Sequence, residues 1–199
     1  MKDLLQQLAT VYEDMEKAYK QVAVLLDFSC EGCPDNCCDS FFLHYTYIEW
    51  CYLWEGFSAL PQDKQAQYRD RARKYIRNSE QAFAKGKEPA EMCPINENGR
   101  CSLYKHRLMI CRLHGIPASM TSPNGQSKKF PGCFRCQELT EGQTSLPTMD
   151  RTKFFRTMVQ LEQALLANQP QKLPRGKMTL AEMLVKGPPP VRQGRVVKS

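Results

Sequence analysis

The chain has 199 residues, 42% of them hydrophobic, and a formal net charge of +7, enough for one ordinary domain with a real core. Its ten cysteines would suit a short secreted disulfide scaffold, but a chain of this length does not need cross-links to fold, and the polar opening Met1-Lys-Asp-Leu-Leu-Gln-Gln-Leu8 lacks the apolar stretch of a secretory signal. No run approaches the roughly 18 apolar residues of a membrane span, so the expectation is a soluble, cytoplasmic protein with reduced thiols and no membrane partner.

The charge is unevenly spread. Residues 1–60 hold 3 basic and 10 acidic side chains, residues 61–87 hold 8 and 3, and the segment from Lys172 onward holds 7 and 1. The basic excess is thus split between one helix and a tail, without interleaved aromatics or a nucleic-acid motif. That pattern reads as solvated faces and argues against nucleic acid as a partner.

In chain order, Leu4, Leu8, Val11, Met15, Ala18, Val22 and Leu25 recur in steps of four and three, which predicts a long amphipathic helix ending near Asp27. Such a stripe packs on its own domain or on a second copy, so the partner expectation is a protein partner or dimer through this N-terminal helix. The run Cys30-Glu-Gly-Cys33-Pro-Asp-Asn-Cys37-Cys38 follows at once. Phe41 to Tyr45 reads as an extended segment, and Thr46-Tyr-Ile-Glu49 carries a capping-box signature that starts a second helix reaching about Ala59. Pro61 opens a third, basic helix with Ala66, Tyr68, Ala72, Tyr75, Ile76 and Phe83 as its apolar positions, and Gly86 and Pro89 stop it.

Residues 90–137 are loop-rich, and the Asn124-Gly125 turn predicts a junction between two short strands. A helix follows from about Asp150 to Asn168, with Phe154, Phe155, Met158, Leu161, Leu165 and Leu166 at core spacing. A further capping box, Thr179-Leu-Ala-Glu182, starts a short helix through Val185. The expected fold class is mainly α, with a loop-rich cysteine core and at most a few short strands. The expected organisation is a single helical domain over 1–171 with its cysteine motifs in 29–136, a short helical segment over 172–186, and a disordered basic, Pro-rich tail over 187–199.

Cysteines clustered at this spacing point to a metal centre. Zinc and iron–sulfur clusters both select thiolates, and a four-cysteine set satisfies either, so zinc or iron, with an iron–sulfur cluster as one form, is the cofactor expectation. The candidate ligands are Cys30, Cys33, Cys37, Cys38, Cys93, Cys101, Cys111, Cys133 and Cys136. Nine thiols suit two metals, or one cluster with spare thiols. The side chains of adjacent Cys37 and Cys38 diverge in most backbone conformations, so they serve two different metals, or one ligates while the other packs. Cys51, inside Glu49-Trp-Cys-Tyr-Leu-Trp54, reads as core. His44 and His114 are the histidines nearest cysteines, with ordinary hydrogen-bonded roles favoured over ligation. Arg107 and Arg112 flank Cys111 and are placed to hydrogen-bond thiolates. Cys111 with His114 or His106 is the one thiol and base pairing for covalent chemistry. No phosphate-cradling Gly-rich loop is present, and catalytic residues are unassigned.

Taken together, these motifs resemble the YkgJ-like cysteine-cluster family, described as zinc- or iron-chelating. The resemblance rests on Cys30-x₂-Cys33-x₃-Cys37-Cys38 with the following aromatic segment and Thr46-x₂-Glu49, on Cys93-Pro-Ile95 and Gly99-Arg-Cys101-Ser-Leu-Tyr104, and on Arg107-x₃-Cys111-Arg112 and Pro131-Gly-Cys133, over about residues 29–136. It departs from the family in the three-residue spacer Pro34-Asp-Asn36, where two is usual, and in Leu108, where the family has proline. The resemblance implies metal binding by the shared cysteines without supplying a substrate. Larger proteins with a similar signature include protein lysine methylases, but this chain has no recognisable S-adenosylmethionine loop. Three readings follow: a metal-binding protein, a redox or group-transfer enzyme using an iron–sulfur cluster or a reactive thiol, and a partner-docking module with a structural zinc. Whether the chain is an enzyme stays open at this point.

Overall fold

The stripe of the first segment forms α1 (Lys2–Leu25), which buries Leu8, Tyr12, Met15, Val22 and Ala23. Each of the larger of these side chains stabilises the fold by about 1.5–3 kcal/mol as its apolar surface leaves water. The stripe packs inside the chain, against α2 (Tyr47–Ser58), α4 (Met109–Leu113) and α6 (Thr152–Ala167). Leu25, expected on the buried face, is 71% exposed, because the helix ends there and the chain reverses through Asp27 (φ 49°) to bury Phe28 instead. The computed structural model describes residues 1–31, 33, 37–167 and 169–192; the spacer 34–36, the expected helix end at Asn168 and the tail from 193 lie outside the described residues.

Apolar on nearly every side, α2 buries Tyr47, Ile48, Trp50, Cys51, Tyr52, Leu53 and Phe57, which makes it the central helix. It begins where Thr46-x₂-Glu49 predicts, but not through the bonds of a capping box. The Thr46 hydroxyl donates to Glu49 Oε2 (2.8 Å), while the Tyr47 and Ile48 N–H groups donate to the two carboxylate oxygens of Glu162, on α6, at 2.9 Å each. A distant carboxylate thus satisfies the orphan donors of the first turn. The second predicted capping box does form, with Thr179 and Glu182 bonded reciprocally at the start of α7 (Leu180–Lys186).

Following Pro61, α3 (Gln62–Ala84) buries Tyr68, Ala72 and Tyr75, and α7 packs along it. The extended segment before α2 makes a bridge between His44 and Met178 that fastens the chain ahead of α7. β1 (Asn96–Glu97) and β2 (Arg100–Cys101) form a hairpin across Asn98 and Gly99, both at positive φ. The predicted Asn124-Gly125 turn joins β3 (Ala118–Thr121) to β4 (Ser127–Phe130), and β5 (Met149–Asp150) adds in parallel to β3. Between them lies the short helix α5 (Phe134–Leu139). Among the described residues, seven helices and two sheets of two and three strands make the fold mainly α with few short strands, the expected class. No described helix is long and apolar enough to cross a membrane. Of the Pro-rich segment after α7, Gly187 accepts from Trp50 Nε1 (3.1 Å), and the Arg192 N–H donates to Gln169 Oε1 (2.7 Å).

Candidate metal centre

Four separated stretches of chain bring five thiols to one chamber of roughly 70 Å³: Cys37 and Cys38 from a 3₁₀ turn, Cys93 from the loop after α3, Cys101 from β2 and Cys111 from α4. The backbone sets their places. The Cys93 N–H donates to the Cys38 carbonyl (2.9 Å), which ties the loop to the vicinal pair. The register of the small hairpin sets Cys101 opposite Asn96, and the Asn96 N–H donates back to the Cys93 carbonyl (2.9 Å). Arg107, His44, His114 and Tyr75 complete much of the wall.

Cys37 and Cys38 do not diverge as expected; their thiols share a hydrogen bond and both face the chamber. That bond holds the Cys37 thiol well above its ordinary value, with burial adding, and brings Cys38 below its own, helped by Asn96 and by the Arg107 guanidinium. Burial pushes Cys93 up, and it pushes Cys111 up to about 12 with neighbouring thiols adding. One thiolate beside an arginine is therefore stabilised while its neighbours keep their protons, so a soft cation entering here would displace protons to bind.

The two arginines beside Cys111 part company. Arg107 lies at the chamber wall, where its charge helps bring Cys38 down and offsets part of the rise that burial gives Cys101 and Cys111, and its Nη2 pairs with Glu16 at 3.2 Å. Arg112 is buried and acts as a strut: it pairs with Glu16, donates to the Arg107 (2.9 Å) and Lys105 (2.5 Å) carbonyls, and sits 4.2 Å over the Tyr12 ring. His44 is buried and held neutral, burial bringing it down to about 4. His114 lies at the chamber wall with its ring centre 5.4 Å from that of Phe42, whereas the His106 ring sits tilted against Tyr52, ring centres 4.8 Å apart. Cys51 is buried in α2, the core position expected of it.

The remaining four candidates, Cys30, Cys33, Cys133 and Cys136, gather elsewhere, where the end of α1 meets α5. The Cys33 N–H donates to the Cys30 carbonyl (3.2 Å), closing a turn, and Cys133 caps α5 with Cys136 one turn on. Cys30 and Cys136 each feel the charge of Cys133. Among the described residues no cysteine is in a disulfide, and no three His, Cys, Asp or Glu side chains are arranged as a ready metal cage. As a donor set the chamber nevertheless fits a soft metal, with several thiols, one stabilised thiolate and a positive group beside it.

Asn96, Tyr75 and Tyr19 stand beside these thiols although none belongs to a cysteine motif. Asn96 was legible, because Asn98-Gly99 between short polar runs is a two-residue hairpin signal that fixes which residue faces Cys101. Tyr75 and Tyr19 look like ordinary positions on amphipathic helices. Compared with known proteins, the chain matches no family model, no curated protein and no solved structure.

Proposed function

We propose that this is a metal-binding protein that chelates zinc or iron through its clustered cysteines, with the chamber of Cys37, Cys38, Cys93, Cys101 and Cys111 as the principal centre. The observation that carries the reading is the meeting of these five thiols, from four stretches of chain, around one chamber walled by Arg107. Thiols that serve only as small apolar residues have no need of a cation beside them or of a shared hydrogen bond. The likeness to the cysteine-cluster family rests on the same residues and points the same way. A bound ion would add Lewis acidity if a ligand position stays open, or a structural tie between loops if four thiols close around it; Arg107 would offset the negative charge of the thiolates.

Elemental analysis with an optical spectrum on protein purified without oxygen tests this. Zinc, or iron with acid-labile sulfide and broad visible absorption, in stoichiometric amount and lost in Cys101→Ser/Cys111→Ser, supports the reading. Protein that folds and carries no metal under these conditions overturns it.

A second reading, a redox or group-transfer enzyme working through a thiol, draws on Cys38, whose thiolate is stabilised by Cys37, Asn96 and Arg107. It expects metal-free protein whose Cys38 alkylates at neutral pH far faster than its other thiols, read by mass spectrometry of the labelled peptides. Uniform labelling would reject it.

A further inference from the structure

One side of α3 faces the 91–98 segment across an open groove of roughly 660 Å³, within the range of sites that hold small organic ligands. Lys64, Arg71 and Lys74 form its cationic wall, and Glu91, Met92 and Glu97 stand on the other side. The cations are unevenly matched. Glu97 takes Lys64 at 2.9 Å and lies 4.0 Å from Arg71, while Glu91 accepts from Asn78 Nδ2 at 2.9 Å. Asp70, beside Arg71 in sequence, is taken by Arg73 at 2.6 Å. Among the described residues Lys74 makes no ion pair, hydrogen bond or ring contact.

Arg71 and Lys74 are three residues apart, so they are neighbours on one face of α3, with about 5–6 Å between their Cβ atoms. Like charges at that spacing repel, and one carboxylate 4.0 Å from Arg71, already holding Lys64, leaves the pair short of negative charge. Arg71 is also fixed in place. Its Nη1 donates to the Asn96 carbonyl at 3.3 Å and its guanidinium lies 5.6 Å from the Tyr68 ring centre, which hold it at the groove wall. A held guanidinium with a free ammonium one turn on suits the oxygens of a phosphate monoester, the first through paired N–H donors and the second as a point charge. The groove has an apolar strip as well: Met92, 45% exposed, lines it with Tyr75 and Pro94, and a flexible thioether of this kind lies readily against a ring.

We propose that this groove binds a small organic phosphate monoester, with its phosphate held between Arg71 and Lys74 and its apolar or aromatic body against Met92. No thiol takes part, so the site stands or falls separately from metal binding by the cysteines. Its place still links it to the chamber. Tyr75, Cys93, Pro94 and Asn96 line both spaces, and Asn96, whose carbonyl holds Arg71, hydrogen-bonds Cys38 on the chamber side. An occupant of the groove therefore lies against the wall that positions Cys38.

Isothermal titration of the full chain with phenyl phosphate tests it, beside inorganic phosphate, phenol and a phosphotyrosyl peptide. The expected result is one phenyl phosphate per chain, weaker binding of inorganic phosphate and no binding of phenol. Lys74→Glu, a charge reversal at an exposed position with no contact to lose, should weaken phenyl phosphate about 10–100-fold. Met92→Ala should weaken phenyl phosphate and leave inorganic phosphate unchanged. No binding at millimolar phenyl phosphate, parent affinity in Lys74→Glu, or equal affinity for the two phosphates overturns the proposal. Far tighter binding of the peptide than of phenyl phosphate overturns the small-ligand class in favour of a phosphorylated protein partner.

Discussion

The Tyr12 hydroxyl donates to the Glu49 carboxylate, 3.2 Å away, in a core where neither side chain is more than 3% exposed. Glu49 also accepts the Met109 N–H at 2.7 Å and the Thr46 hydroxyl at 2.8 Å. One buried carboxylate therefore binds α1, α2 and the first turn of α4, the helix that presents Cys111. Glu49→Ala leaves three donors without their acceptor and should cost about 3 kcal/mol or more, whereas Tyr12→Phe, which removes a single bond, should cost about 1 kcal/mol. Urea unfolding of metal-free protein separates the two; equal small losses would show that the carboxylate does not organise α4.

Glu162 caps a helix from which it is separated by more than a hundred residues. Because its two oxygens each take an N–H at the start of α2, Glu162→Ala should destabilise the protein by about 1–2 kcal/mol, and Glu162→Gln, which keeps one acceptor, by less. The thermal midpoints of the two variants against the parent check the order. Equal loss in both would assign the effect to packing rather than to the cap.

The arginines flanking Cys111 should separate cleanly. Arg107→Ala removes the cation at the chamber wall and should weaken metal retention about 10–100-fold, with a smaller loss of stability from its more exposed pair with Glu16. Arg112→Ala removes the strut between Glu16, Tyr12 and the 105–107 carbonyls and should lower stability first. Chelator competition read beside a thermal melt distinguishes them, and the reverse pattern would exchange their roles.

Metal retention should fall as the pH falls. Cys93 and Cys111 are held above the ordinary thiol range by burial, so protons compete strongly for the sulfurs, and binding must release them. Proton release on zinc addition, followed with an indicator dye, should accompany loading, and Cys111→Ser should release fewer protons. Cys51→Ala, in the core of α2, should leave both readouts unchanged.

His44 sets a pH limit on the fold itself. Its folded value is depressed to about 4 by burial, against an unfolded value near 6.5. The unfolded chain therefore takes up a proton first as the pH falls, so the contribution is complete above about 6.5 and is lost progressively toward 4. The full linkage is about 3 kcal/mol. Denaturant midpoints of metal-free protein between pH 7 and pH 4 should fall with this slope and flatten in His44→Phe; an unchanged slope in the variant would remove His44 as the cause.

Much of the architecture is legible along the chain because helical spacing, caps and turn residues are local. The stripe of α1, the start of α2 at Thr46, the proline before α3, the capping box of α7 and the Asn124-Gly125 turn all act within a few residues of themselves, and each element appears where its signal stands. The clustering of nine thiols is equally plain along the chain. How they divide is not, because Cys93 joins Cys38 through a backbone bond across more than fifty residues, while Cys133 joins Cys30 across a hundred through the approach of α5 to the end of α1. The same holds for charge. Arg107 and Arg112 both flank Cys111 in sequence and both pair with Glu16, and only the packing of α1 beside α4 sets one at the chamber wall and the other over the Tyr12 ring. Sequence by itself determined the helices and the donor chemistry, since both follow from side chains and their immediate spacing. Only the tertiary structure decided which sulfurs meet and which arginine stands beside them, because those pairings depend on how helices far apart in the chain pack together.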